Sequence, residues 1–263
     1  MKLSKASILP ALFGMLALHS PDAGAGQTDP SIYMPNNHGK SITTPVAWGA
    51  YNNVIFVGAG GTAPSPYTTK NDGAAVLGVG LGNPKENIGV QASIISIDIS
   101  EWKEYSSALH VFRELGNADA VGVGVENVML TSGGDAGKSF YVVYSRGLQY
   151  ESLLNKDIRT TKLHYSIGAG TGRFGDKSPY DSDPAIGNKG KHGTYVFGNL
   201  AYEIADSFNI ITDWNGLNLN AGVSKSFKIG NVPFAVTAGA ADLTRYSGDG
   251  VRFVFAGGFG FKL

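Results

Sequence analysis

The sequence predicts an all-β fold, an antiparallel transmembrane β-barrel of about 12 strands. Three observations carry that prediction. The last thirteen residues, 251–263 (VRFVFAGGFGFKL), put Val251, Phe253, Phe255, Gly257, Phe259, Phe261 and Leu263 on one strand face and Arg252, Val254, Ala256, Gly258, Gly260 and Lys262 on the other. Segments with period-2 alternation recur from residue 53 onward, divided by turn-forming clusters. The chain holds 37 glycines and no cysteine, which disfavours a helix-rich fold. An exported chain without disulfides must hold itself together by burial and backbone pairing, which a barrel achieves by closing its sheet.

The N-terminus sets the compartment. Lys2 and Lys5 precede an apolar run from Ile8 to Leu18 and then Ala23-Gly24-Ala25, the order of a secretory signal peptide, here 1–25. The run is too short to cross a bilayer as a helix, and Pro10 and Gly14 interrupt it as a core helix. Residues 26–52 contain Pro30, Pro35, Pro45 and the pair Asn36-Asn37 with little alternation. They are expected to form an irregular N-terminal segment that hangs in the periplasm or plugs the lumen. The barrel then occupies 53–263. Basic and acidic residues number 21 each, and removing Lys2, Lys5 and Asp22 with the signal peptide barely changes the balance. A near-neutral chain carries no electrostatic footprint for nucleic acid.

In chain order the strands are expected near 53–61, 73–82, 87–97, 105–114, 119–127, 138–146, 160–170, 193–204, 207–214, 217–227, 232–240 and 250–262. Leu163, Tyr165, Ile167 and Ala169 oppose Lys162, His164, Ser166 and Gly168; Leu217, Leu219, Ala221 and Val223 oppose Asn218, Asn220, Gly222 and Ser224. That is apolar outside and polar inside. In the third strand Ile88, Val90, Ala92 and Ile94 give way to Ile95, Ile97 and Ile99 on the opposite face, which predicts a bulge at Ile94-Ile95. Connections fall into two sets. Those near 62–72, 98–104, 128–137, 171–192 and 241–249 are long, whereas 83–86, 115–118, 205–206 and 228–231 are short, as external loops and periplasmic turns should alternate. Asn215-Gly216 is expected to be a tight type I′ turn, and 147–159 an exceptionally long periplasmic one.

The signal peptide, the alternating strands and the aromatic ending VRFVFAGGFGFKL together resemble bacterial outer-membrane β-barrel proteins over the whole mature chain. The segments ITDWNGLNLNAGVS (211–224) and AADLTRYSGDGVRFVFAGGFGFKL (240–263) are also similar to uncharacterised barrels, some linked to exopolysaccharide export. The resemblance implies residence in the outer membrane, contact with lipid and lipopolysaccharide, and insertion by the barrel-assembly machinery.

Motifs for catalysis are weak. Gly133 to Ser139 ends in Gly-Lys-Ser, but Ser132 stands where a phosphate loop needs glycine, and a strand follows. Gly170, Gly172 and Gly175 have GxGxxG spacing, yet DKSPYDSDP cannot open a helix behind them. Of His38, His110, His164 and His192, only His164, sharing a face with Lys162 and Ser166, merits testing as a general base. No serine stands in a recognisable nucleophile setting. Rim carboxylates, among them Asp176, Asp213, Asp242 and Asp249, are interspersed with Lys138, Arg173 and Arg245 and read as solvated loop charge. No metal or cofactor is expected. The inward candidates are Lys162, His164, Asn218, Asn220 and Arg252. With the small pairs Gly78/Gly80, Gly122/Gly124, Gly168/Gly170 and Gly258/Gly260 they suggest an open, wet lumen. The expected function is therefore non-enzymatic, a small-solute pore or envelope export component; the alternatives are a closed barrel for adhesion or envelope assembly, and a wall-mounted hydrolase.

Overall fold

A computed structural model describes residues 39–64, 71–97, 99, 102, 104–116, 118–131, 138–151, 159–176, 192–230, 232–246 and 250–263, with side chains omitted at 149–151 and 159–162. Twelve antiparallel strands close on themselves: β1 Val54–Ala63, β2 Asp72–Gly82, β3 Gly89–Ser96, β4 Tyr105–Gly116, β5 Asp119–Met129, β6 Ser139–Glu151, β7 Arg159–Gly170, β8 Val196–Ala205, β9 Phe208–Trp214, β10 Leu219–Ile229, β11 Val232–Ala241 and β12 Arg252–Lys262. Each strand pairs with its sequence neighbour. The closing pair is β1 with β12, in register from Val54↔Lys262 to Ala63↔Phe253. Closure leaves no sheet edge unpaired, the condition for crossing lipid with strands.

Burial is inverted relative to a water-soluble domain. Leu77, Ile94 and Phe253 are 57%, 54% and 52% exposed on the outer face, while Asn220 and Asp213 are 0% and 2% exposed inside. Apolar atoms outside and polar atoms inside are the arrangement of an outer-membrane-type barrel. Aromatics mark both ends of the wall. At the end carrying the longer loops, here the loop end, Trp214 lies edge-on to Tyr246 at 6.4 Å and donates from Nε1 to Thr194 Oγ1 at 3.0 Å. There the Tyr195 hydroxyl donates to Asp176, a bond that holds the phenol above its ordinary range. At the other end, the turn end, Phe234 contacts both Phe227 and Phe259.

Three local expectations are corrected. β3 keeps an unbroken register with β2 and β4, so there is no bulge at Ile94-Ile95. Instead Ile95 and Ile97 point inward, 4% and 1% exposed, into an apolar sector with Val54, Phe56 and Val76. Register shifts fall at Ser107/Leu109, Glu114/Gly116, Leu148/Gln149 and Glu203/Ala205. The β9–β10 connection spans 215–218 rather than two residues: Asn215 Oδ1 accepts from the amides of Leu217 and Asn218, and Gly216 takes φ +97°. β6 runs on to Glu151, which shortens the long turn-end connection to 152–158.

Candidate functional site

The lumen is occupied by the chain's own segment 39–51. We call it the strap. Its residues from Lys40 to Tyr51 are all buried, Tyr51 at 7% exposure among them. The glycines of β2, β5 and β7 expected to leave space do not leave a channel. Side chains of Phe56, His110, Tyr141, Phe197 and Phe174 fill the volume beside Gly78, Gly122, Gly124, Gly168 and Gly170, and the strap backbone at Ala50 passes against Gly80. Glycine is needed there because a Cβ would enter a ring or the backbone.

The path of the strap follows from its partners. Lys40 Nζ donates to Asn209 Oδ1 at 2.7 Å and lies 3.8 Å from Glu203, a pair one rung from the β8–β9 turn. The chain then rises toward the loop end, where Asp213 near the top of β9 receives it. Asp213 Oδ2 accepts from the amides of Ile42 at 2.8 Å and Thr43 at 2.7 Å and from Ser41 Oγ at 3.1 Å; Oδ1 accepts from Thr43 Oγ1 at 3.0 Å and Asn220 Nδ2 at 2.6 Å. Arg173, in a 3₁₀ turn at Gly172–Phe174, donates to the Thr43 carbonyl at 2.8 Å while paired with Glu126. Asn199 Nδ2 donates to Thr44 Oγ1 at 3.2 Å.

At Pro45 the direction reverses. The second limb descends the β3–β7 side: the Ala47 amide donates to Ser145 Oγ at 2.8 Å, and the Ala50 amide to Gln91 Oε1 at 2.7 Å. Since the Ala47 carbonyl can only accept, His110 Nε2 carries the proton of that 3.0 Å bond, and Nδ1 accepts from the Tyr141 hydroxyl at 2.9 Å. The limb leaves at the turn end, where the Asn52 amide donates to Gly82 O. The strap is thus a hairpin-shaped loop inserted from one end, with its apex near Asp213 and Arg173.

Of the inward candidates, His164, Asn218, Asn220 and Arg252 lie buried in the interior, and the side chain of Lys162 falls outside the described residues. They do not form one site. Asn220 belongs to the Asp213 cluster. Asn218 and Arg252 hold Asp242, Arg252 Nε donating to Asp242 Oδ2 at 2.7 Å and Nη1 to Thr62 Oγ1 at 3.2 Å. His164 packs edge-on against Trp48 at 5.8 Å, and neither ring nitrogen has a hydrogen-bond partner among the described residues. Its strand neighbour Ser166 bonds Ser145 at 2.7 Å instead.

Asp213 and Asp242 are not solvated rim charges, as their neighbourhood in the sequence suggested, but buried ones. Glu126 and Glu203 are also buried, and their otherwise unremarkable alternating strands carry no signal of it. The four buried carboxylates among the described residues divide evenly. Glu126 is matched by Arg173 and Asp242 by Arg252, both belonging to the barrel, whereas Glu203 and Asp213 are matched by Lys40 and the strap's amides and hydroxyls.

A scan against protein-family models finds no match, and neither does a search of curated proteins. Solved structures similar to the chain include the KdgM porin in complex with disordered oligogalacturonate, at 11% identity and a TM-score of 0.47 over 80% of this chain and 99% of that one. Another is outer membrane phospholipase A from Escherichia coli, at 12% identity and a TM-score of 0.43 over 80% of this chain and 93% of that one. A third is the Salmonella typhi outer membrane phospholipase dimer with bound calcium, at 13% identity and a TM-score of 0.38, covering 80% and 91%. Porin and phospholipase stand side by side among these neighbours, and at such values the likeness extends to the barrel fold alone.

Proposed function

We propose that the chain is a non-enzymatic barrel of the bacterial outer membrane, a small-solute pore held shut by its own strap. The observation that carries this is the hairpin shape of the strap: both limbs run to the turn end, so the loop can withdraw without being threaded through the wall. The wall behind it suits either state. Asn199, Asn209, Asp213, Asn220 and Ser224 bond the strap network when it is in place, and water could take over those bonds when it leaves, so each of these bonds has a substitute in the open state. The lipid-facing band and the aromatic ends support residence among outer-membrane lipid and lipopolysaccharide, with insertion by the barrel-assembly machinery.

The enzyme alternative draws little support from the interior. His110 is bonded on both ring nitrogens, to Tyr141 and to Ala47, and Ser166, the serine nearest His164 along the strand, bonds Ser145. A wall-mounted hydrolase needs a nucleophile and base within reach of each other and of substrate. A second reading, the closed barrel used for adhesion or envelope assembly, is favoured by the depth of strap burial. An export role for a bulky polymer would require the strap to leave entirely.

Purified protein in planar bilayers separates these readings. The full chain is expected to be silent or to open rarely. Lys40→Ala/Thr43→Pro, which removes the ammonium and one amide that hold the apex limb, is expected to open far more often. Silence of both, and of a chain lacking 26–52, would contradict the pore and leave the closed barrel.

A further inference from the structure

Resting on the outer-membrane reading but not on the pore, we propose that the outer wall at the turn end seats a zwitterionic phospholipid, Arg146 taking its phosphate and Asp119 its ammonium. The pairs Lys40–Glu203, Arg173–Glu126 and Arg252–Asp242 lie inside the barrel. Arg146–Asp119 faces out. The two are cross-strand partners on β6 and β5, with Nε 3.4 Å from Oδ1 and side chains 41% and 20% exposed. Their strand neighbours Ala120 and Ser145 are buried in the lumen, so alternation turns the pair toward lipid.

A charged pair on that face needs an account, because ionised groups there destabilise a barrel except near the interfaces. Asp119 opens β5 directly after the β4–β5 turn, and the amide of Gly147, next to Arg146, donates to Ala118 O. The pair therefore stands at headgroup depth. Short turns of such barrels face the periplasm, which puts it in the leaflet away from lipopolysaccharide.

The surroundings fit a lipid carrying both signs. The bridge is open: Nε and Oδ1 have no hydrogen-bond partner among the described residues, so this is not the closed fork of a bidentate pair, and the exposed part of the guanidinium is left to meet a phosphate. Tyr144 lies against both Asp119 and Arg146, and Tyr165 is the partner of Arg146 on β7, tyrosines at the level where amphipathic rings suit an interface. Toward the loop end the same face continues in Val123, Val142 and Ile167, each more than half exposed, a track for acyl chains. A primary ammonium gives Asp119 N–H donors. A quaternary one offers none, and a purely anionic headgroup sets negative charge against the carboxylate.

The test is native mass spectrometry of the full-length protein incubated with phosphatidylethanolamine, phosphatidylcholine and phosphatidylglycerol of matched chains. Wild type is expected to retain phosphatidylethanolamine over either of the others by about threefold or more. Arg146→Gln should lower that retention, and Asp119→Asn should erase the preference over phosphatidylglycerol. Arg113→Gln removes an exposed arginine of the same outer band, opposite Val121 on β4, and should leave the order as it is. Equal retention of the three lipids by wild type would overturn the seat, whether or not the variants fold. So would a loss from Arg113→Gln as large as that from Arg146→Gln, which would mean diffuse charge only. Either result leaves the barrel in its membrane. Recovery of wild type as a soluble protein without heat-modifiable gel mobility would overturn both readings.

Discussion

The two limbs of the strap are held by different physics. The first, Lys40 to Thr44, is fixed largely by hydrogen bonds and charge to β8, β9 and β10, with Ile42 as its one large apolar contact, against Ala201, Ile211 and Val254. The second, Val46 to Tyr51, is fixed largely by packing, with three backbone bonds at Ala47 and Ala50 beside it: Val46, Ala47 and Trp48 join Val143, Phe174 and Phe197, and Ala50 joins Val54, Phe56 and Ile95. Water competes well for the bonds of the first limb and poorly for the contacts of the second, since apolar burial has no aqueous substitute. On the pore reading, the first limb is the releasable side of the plug. The second anchors it to the start of β1.

The largest effect should come from the anchor. Trp48→Ala removes the largest fully buried side chain, and a cavity of that size costs about 3–5 kcal/mol; a urea titration followed by gel mobility should show the midpoint fall, with the strap loosened as a whole. Asp213→Ala comes next. It leaves the Ile42 and Thr43 amides without their acceptor, at about 1–3 kcal/mol for each buried group left unmet. Because water can enter as the limb swings away, channel openings should rise more than stability falls. Equal losses of stability in these two variants, with no gain in openings for the second, would remove the distinction between the limbs. Ser145→Ala should act least, by about 1–3 kcal/mol, since it leaves one strap amide, that of Ala47, without its acceptor and Ser166 without its partner, with the packing around Trp48 in place.

The wall of this barrel was legible in the sequence because lipid outside and a filled interior impose a strict period of two on every strand. Arg252, Asn218 and Asn220 could be assigned to the inner face from alternation alone, and the closing strand needed only its run of phenylalanines. The path of the strap was not legible, although the irregular composition of 26–52 left a plugged lumen as one of two readings. Residues 39–51 carry no period, and their partners lie far along the chain, 170 residues away for Thr43 and Asp213 and 98 for Ala47 and Ser145. Without the strap in view, inward glycines suggest a void when they mark close approach to rings and backbone. Inward Ile95 and Ile97 suggest a bulge when they meet an apolar patch. Asp213 and Asp242 sit beside loop residues in the sequence, and only the partners folded against them make their burial tolerable.

The central claim is that one loop closes the lumen and can leave it. The chain has no cysteine, so a single engineered disulfide can test this without a background to remove. Thr44 and Asn199 touch across the gap between strap and wall, side chain to side chain at 3.2 Å. The chain carrying Thr44→Cys and Asn199→Cys should be silent in a planar bilayer when oxidised and should show openings under the same voltage after reduction. Equal conductance in the two states would contradict the account.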